Sequence, residues 1–286
     1  MIMKQNNELQ LIIKHFFRNI LGVAGFLIVM LMVLSAIFAD FIVPYDPIAL
    51  NIKERLQGPS FSHLLGTDQL GRDIFSRMVM GSRVALQVAL PTVFGAVSIG
   101  FVLGMIAGFG PKWLDNAIIL LLDTLRSFPT VMFALAVVAL VGPSLETVIF
   151  IIIVTSIPTY GRVVRTQTLS IKSSEFILAE KSMGSSTARI LLVHILPNIF
   201  GPIAVLSAME IPTIIGLEAG LSFLGMGVRP PTPSWGSLLN EGYTLIRNTP
   251  WLLIAGGVPL IITTLGFTFL GETLRDAVDP KLRKRN

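Results

Sequence analysis

The run Asn19–Ala39, NILGVAGFLIVMLMVLSAIFA, holds 21 residues without a single charge. A helix of about 20 apolar residues crosses the ~30 Å hydrocarbon core of a bilayer, so this stretch predicts a membrane span. It follows a cationic start containing Lys4, Lys14 and Arg18, which is also how a secretory signal begins. The apolar run is longer than an ordinary signal core and no small-x-small cleavage site comes after it, so it reads as a retained anchor.

Five further runs extend the pattern. Val84–Pro111, Ser127–Leu145, Thr147–Gly161 and Asn248–Gly271 are free of charge, and Ile195–Val228 is interrupted only by Glu210 and Glu218. Thr147–Gly161 is short, but Arg162 and Arg165 can snorkel and lengthen it. The third span has room to begin earlier, near Ala117. Composition agrees: 52% of the 286 residues are apolar, 14% are charged and mean hydropathy is +0.75. Soluble domains carry about 25% charged residues, so the composition speaks against a soluble globule and excludes a polar, disordered or fibrous chain. The fold class is all-α, a polytopic membrane protein of about six spans. No internal repeat is visible.

Cationic loops orient such a chain. With the N-terminus inside, 15 of the 22 Lys and Arg fall on inner segments and 7 on outer ones, which places both termini in the cytoplasm. The expected organisation is a cytoplasmic segment 1–18, a transmembrane domain 19–274 and a cytoplasmic tail 275–286. Three connections are long: an outer loop 40–83, an inner loop 162–194 and an outer, Pro-rich loop 226–249. The net charge of +5 arises from these loops. No basic cluster with interleaved aromatics points to nucleic acid.

Several chemistries are excluded by residue type. There is no cysteine, hence no disulfide, thiolate nucleophile or Cys-based metal site. His15, His63 and His194 are too scattered for a metal centre. No phosphate loop, HExxH or GxSxG occurs, so this chain is expected to bind no ATP, metal or other cofactor itself and not to be an enzyme.

The inner loop carries the most information. Ser174 can cap a helix whose apolar positions Phe176, Ile177, Ala179 and Met183 lie near one face. Gly184 ends it, and Ser185 or Ser186 can cap a second helix running toward Pro197. A short helix projecting from the inner face needs a surface on which to bury its apolar side. An apolar groove of a partner protein and the bilayer surface both satisfy that need.

The pattern Ala179-x4-Gly184-x9-His194-Ile195-Leu196-Pro197-Asn198 resembles the EAA loop of ABC-importer permeases, and the whole chain resembles the C-type permease of the dipeptide, oligopeptide and nickel importers. The outer stretch Leu65-Gly66-Thr67-Asp68-Gln69-Leu70-Gly71-Arg72-Asp73 resembles that family's outer-loop signature. So do Leu221-Ser222-Phe223-Leu224-Gly225 with Pro230-Pro231-Thr232-Pro233-Ser234-Trp235-Gly236, and Leu270-Gly271-Glu272 through Asp279-Pro280. The likeness runs from Pro44 to Pro280. One departure stands out: Leu178-Ala179-Glu180 replaces Glu-Ala-Ala.

The resemblance implies a type I ABC importer permease fold in the bacterial inner membrane, forming half of a path for peptides. A second, homologous permease, two ATPase subunits and an extracytoplasmic substrate-binding protein are the implied partners, besides membrane lipid. ATP and Mg would sit on the ATPases. The implied coupling residues are Glu175, Phe176, Ala179, Glu180, Gly184, Ser185 and Arg189. A nickel or metal-chelate importer is the alternative within the family, and an ion-coupled secondary carrier the alternative outside it.

Three groups keep two readings each. Asp68, Arg72, Asp73 and Trp235 are candidates for docking a binding protein or for an outer gate; alternatively, Arg72 pairs with Asp68 or Asp73 merely to order the loop, and Trp235 packs in a turn. Glu210 and Glu218, eight residues apart, either line the path or form a buried structural pair. Asp123 and Arg126, at i,i+3, are expected to pair with each other.

Overall fold

The computed structural model describes residues 16–278. Lys4, Lys14, Asp279, Pro280 and Lys281, with most of the expected cytoplasmic ends, lie outside the described residues. Within them the chain is α1 (Ile20–Ile37), α2 (Ala39–Ile42), α3 (Ile74–Phe109), α4 (Lys112–Ser127), α5 (Thr130–Val141), α6 (Leu145–Lys172), α7 (Glu175–Ser182), α8 (Thr187–Arg189), α9 (Leu196–Phe223), α10 (Trp235–Thr244) and α11 (Trp251–Val278). A 3-10 turn spans Ile52–Glu54, and a π-helical turn, Ile190–Ile195, joins α8 to α9. No strand occurs among the described residues, only an isolated bridge between Thr67 and Asp73.

Five helices, α1, α3, α6, the α8–α9 continuum and α11, are long and apolar enough to cross a membrane. A sixth crossing is reached only if α4 and α5, which meet at a bend of 84°, are counted together as one span. The expected third span, Ser127–Leu145 with an alternative start near Ala117, is broken at Phe128-Pro129, because a residue before proline is pushed out of the helical region. Asp123 does not pair with Arg126 as expected. It meets Arg162 of α6 at 3.2 Å, while Arg165 grips Asp115 at 2.7 Å. Both α6 arginines turn onto α4, and α6 extends to 28 residues.

Two outer boundaries also move. Asp73 caps α3, accepting from Ser76 N at 2.8 Å, so the helix begins ten residues before the apolar run at Val84. At 36 residues it is about 54 Å long and must project from a ~30 Å hydrocarbon layer. The Pro-rich segment, expected as loop throughout, contains α10, opened by a capping box in which Ser234 and Ser237 satisfy each other's backbone amides.

Small residues let the spans approach closely. Gly100, Gly104 and Gly108 of α3 form one stripe against Tyr160, Gly161, Val164 and Thr168 of α6. A Cβ on Gly104 would stand 2.5 Å from the Gly161 carbonyl oxygen. In lipid, where apolar surface gains little from leaving the solvent, such contact of backbones is what holds helices together. Gly25 of α1 meets Gly266 of α11 in the same manner. The buried apolar side chains form a larger cluster around Val88, Ile151, Ile214, Leu238 and Leu252, and a second around Tyr160, Val164, Ile190, Ile195 and Ile199. Ile177 of α7 belongs to the second, which is how that short helix is tied to the spans.

Candidate functional site

The helix α7 ends in a complete Schellman turn. Gly184 N donates to Lys181 O and Ser185 N to Glu180 O, both at 3.0 Å, and Gly184 holds φ +82°. Glycine takes that left-handed conformation without strain, and the crossed bonds satisfy the last carbonyls of the helix. Ser186 caps α8, accepting from Arg189 N. Ser174 occupies the cap position of α7, but its hydroxyl turns back to donate to Ile171 O at 2.6 Å and makes no capping bond.

Of the expected apolar face, only Ile177 points inward. Phe176, Leu178 and Met183 are 47%, 52% and 73% exposed, and Ala179, between them, is exposed as well. Glu175 and Arg189 stand outward on either side. Glu180 does something different: it accepts from the Ser185 hydroxyl and lies 3.5 Å from His194 Nε2. The acid that departs from the EAA pattern therefore braces the turn. Lys181 and Lys172 both sit 5.2 Å from the centre of the Phe109 ring at the end of α3, and Lys172 Nζ also donates to Phe109 O at 2.9 Å.

Around the start of α3 and of α10, Asp68, Arg72, Asp73 and Trp235 are all buried. Asp68 accepts from Arg72 Nε at 2.7 Å and from Arg77 Nη1 at 2.6 Å. Glu241 of α10 accepts from Arg77 Nη1 and Nη2, each at 2.7 Å, and from Arg72 Nη2 at 3.1 Å. Two acids and two arginines thus close a neutral ring that ties the outer loop and the head of α3 to α10. Asp73, besides capping α3, bonds His63 Nδ1 at 2.8 Å. Trp235 Nε1 donates to Met78 O at 3.0 Å. All four side chains are bonded into the fold, and each is at most 5% exposed.

A second outer tie is exposed. Arg83 forks onto Asp40 at 3.0 and 2.9 Å, and those bonds hold the Asp40 carboxyl below its ordinary pKa. In water such a pair adds little to stability.

The two membrane carboxylates part company. Glu218 is 1% exposed and accepts from Ser222 Oγ at 2.7 Å, enclosed where α9 meets α10. Glu210, halfway along α9, is only partly buried. Glu218→Gln keeps the volume and the Ser222 bond; it is expected to leave complex assembly and transport within about twofold of wild type, since surviving hydrogen bonds carry about 1 kcal/mol each. A tenfold loss of transport in the assembled complex would place Glu218 on the path instead.

With this geometry established, comparison with known proteins is decisive. Residues 100–284 match the family described as binding-protein-dependent transport system inner membrane component, and residues 8–59 match the N-terminal transmembrane domain of oligopeptide transport permease C. The chain belongs to this permease family. The permease is 40% identical to the dipeptide transport system permease protein DppC of Alkalihalophilus pseudofirmus, over 94% of this chain and 89% of that one. It is also 40% identical to the glutathione transport system permease protein GsiD of Pectobacterium atrosepticum, over 94% and 90%. Its fold is similar to a chain of the MetNI methionine ABC transporter in an inward-facing conformation, with a TM-score of 0.60 over 71% of this chain and 97% of that one, at 18% identity. It is therefore the permease subunit of an ABC importer, a multi-pass transport component; hydrolysis of ATP in such systems belongs to separate subunits.

The sequence alone does not reveal three features of the permease. Arg77 and Glu241 are 164 residues apart, and no local spacing links them. Their only signal is compositional: Glu241 is the one acid in an outer segment that otherwise carries Arg229 and Arg247. His63 reads in sequence as a loop residue, although it lies between Asp73 and, at 3.4 Å, Glu54. The glycine stripe has a signal in three glycines at intervals of four on one helix face.

Proposed function

We propose that this permease forms one wall of the path of an ATP-driven importer of small peptides in a bacterial inner membrane, with both termini in the cytoplasm. A second, homologous permease completes the path. Two ATPase subunits carry ATP and Mg, and a substrate-binding protein delivers the solute from outside. The single observation that carries the reading is α7: eight residues held by Ile177 on one side and presenting Phe176, Leu178, Ala179 and Met183 on the other. Exposed apolar side chains on a projecting helix are the pattern that seats in an apolar groove. Glu175 and Arg189 flank that contact, while Glu180, Gly184 and Ser185 set its shape.

Peptide is the solute class because the relatives named above are a dipeptide and a glutathione permease. These solutes share an amide backbone, a free ammonium and carboxylates. On the outer side the buried ring of Asp68, Arg72, Arg77 and Glu241 acts as a frame, with Asp73 and Trp235 fixing the head of α3. The binding protein would then rest on exposed neighbours such as Phe61 and Leu64. Of the two membrane carboxylates, Glu210 is the one assigned to the path.

The test is copurification through a tag on this chain, co-expressed with its genomic neighbours. Recovery of a second permease and ATPases, with hydrolysis raised by one peptide-loaded binding protein, is the expected result. A stable chain that moves solute alone in proteoliposomes without ATP would overturn it in favour of a carrier. Gly184→Asp sharpens the assignment. No atom lies within 4 Å of where its Cβ would go, so insertion and folding are expected to survive, at about 1 kcal/mol for the left-handed conformation. The added charge faces the groove, and ATPase recovery in the pull-down should fall at least about tenfold, the effect of roughly 1.4 kcal/mol. Undiminished recovery would remove α7 from the interface.

A further inference from the structure

Where α1 reaches the end of its apolar run, a groove opens between it and α3. Its volume is about 330 Å³, and its walls are apolar, with Ile37 on one side and Leu86, Leu90 and Pro91 on the other. Two polar residues interrupt that lining, Arg83 and Gln87. Asp40 is the first charge after the run Asn19–Ala39, and Arg83 the last before the run Val84–Pro111. The Arg83–Asp40 pair therefore marks the level at which hydrocarbon gives way to headgroups. Gln87 is exposed and lies four residues, about 6 Å, further in. Each polar layer of a bilayer is about 5–8 Å deep, so Gln87 stands at its lower edge, the level of a phospholipid's esters. Leu90 and Pro91, one more turn along, lie at the level of the acyl chains.

The charged pair is only partly used. A guanidinium carries five N–H groups. Arg83 gives Nε–H to Ala36 O at 3.1 Å and one N–H from each terminal nitrogen to Asp40, at 3.0 and 2.9 Å. Two N–H groups remain, and each Asp40 oxygen keeps a lone pair. Side-chain exposure of 28% for Arg83 and 68% for Asp40 leaves both within reach of a ligand. Asp40 also borders a wider opening of about 580 Å³ beside Tyr45 and Thr232, which gives a headgroup room. A helix of another subunit suits this groove less well. Spans approach one another over small residues, whereas this rim is built of Ile37 and Leu90, each 59% exposed, and of a charged pair.

We propose that the groove between α1 and α3 binds a phospholipid whose headgroup carries both a phosphate and a primary ammonium. The phosphate takes the two free N–H groups of Arg83, and the ammonium donates to Asp40. The Gln87 amide donates to an ester carbonyl, and an acyl chain covers Leu86, Leu90 and Pro91. The site requires only that α1 and α3 cross the membrane, whatever the solute.

The test uses the full chain, both alone and in the complex purified with its partner subunits. Each sample is stripped of lipid and returned to phosphatidylethanolamine or phosphatidylglycerol bearing a photoreactive acyl chain. Labelling of Ile37 and of residues 86–91 is then quantified by peptide mass. In wild type, phosphatidylethanolamine is expected to label the groove about tenfold more than phosphatidylglycerol. Asp40→Asn removes the acceptor and leaves the arginine charge uncompensated, so the order should reverse in favour of the anionic lipid. Gln87→Leu should reduce labelling by both lipids about fivefold, the effect of one neutral hydrogen bond. Equal labelling of wild type by the two lipids overturns the proposal, as does an unaltered order in Asp40→Asn, because unspecific surrounding lipid gives both results. Labelling of the isolated chain that disappears in the complex also overturns it and assigns the groove to a partner subunit. Should Asp40→Asn fail to fold, Gln87→Leu decides, and wild-type labelling of that variant overturns the proposal.

Discussion

Asp68→Ala is expected to lower the stability of the permease by about 3–5 kcal/mol, the usual consequence of removing one partner from a buried ion pair. Asp68 accepts from Arg72 Nε, Arg77 Nη1 and the backbone amides of Leu70 and Arg72, so its loss leaves four donors short. Glu241 remains, but one carboxylate cannot neutralise two guanidinium groups, and Arg77 is 1% exposed. The damage should be local, because the ring joins the outer loop to α3 and α10 and takes no part in the contacts between spans. Unfolding of purified protein in detergent should therefore show an early transition, with the segment between Pro44 and Asp73 cut first by a protease. Combining Asp68→Ala with Arg77→Met should cost less than the sum of the two single changes, since the second removes the charge the first has stranded. Equal protease resistance and an unchanged melting temperature for Asp68→Ala would show that the ring contributes no net stability.

Gly104→Leu is expected to be nearly as severe, by a different route. Its Cβ would come 2.5 Å from Gly161 O and 2.6 Å from Val164 Cβ, positions that backbone and a β-branched side chain cannot yield. The helices must part, and the close contacts along Gly100 and Gly108 are lost with them. Overpacking of this kind costs about 1–3 kcal/mol or more, and in lipid no hydrophobic gain offsets it. Insertion should proceed normally, since leucine favours the membrane, while the folded fraction after extraction falls sharply. Gly257→Ala is the matched control: the nearest atom would be Leu239 Cδ2 at 3.7 Å, ordinary contact, so stability should hold or rise slightly. If Gly104→Leu melts with the control, the stripe is not what holds α3 to α6.

The ring and the stripe mark how far the sequence can be read. Spans are legible because lipid imposes a one-dimensional rule: about 20 apolar residues in a row. That rule locates α1, α3, α6, α9 and α11. It is blind to the break at Phe128-Pro129, where both halves are apolar and only the geometry of the residue before proline separates them. The short helix α7 is legible because its signals are local: Glu175 in the first turn, and Gly184 where a left-handed residue closes the helix. The two-sidedness of that helix is not. Phe176 and Ile177 are neighbours of similar hydropathy, and only the position of Ile190 and Ile195 decides that Ile177 alone turns inward. The ring is illegible for a related reason. Asp68 and Arg72 are within one turn of chain, and the sequence can pair them, but Glu241 reaches them only through the packing of α10 against α3. Likewise Glu210 and Glu218 look alike along the chain, and their separation into a half-open and an enclosed carboxylate depends on where α10 lies.

The break between α4 and α5 has a consequence for depth. A helix end leaves four carbonyls unmatched and a helix start up to four amides, so the Phe128-Pro129 corner gathers nearly a full turn of unmatched backbone from each side. Hydrocarbon offers none of it a partner. Beyond the corner, α5 has 12 residues, about 18 Å of rise, well short of a bilayer's apolar thickness. Lipid tails therefore cannot be the surroundings of this corner. It must either rise to the level of the headgroups, where water completes the backbone bonds, or be roofed by another polypeptide. In both cases the membrane around α5 is locally thinner or locally replaced, and the permease carries in its own backbone a marker of where the bilayer stops.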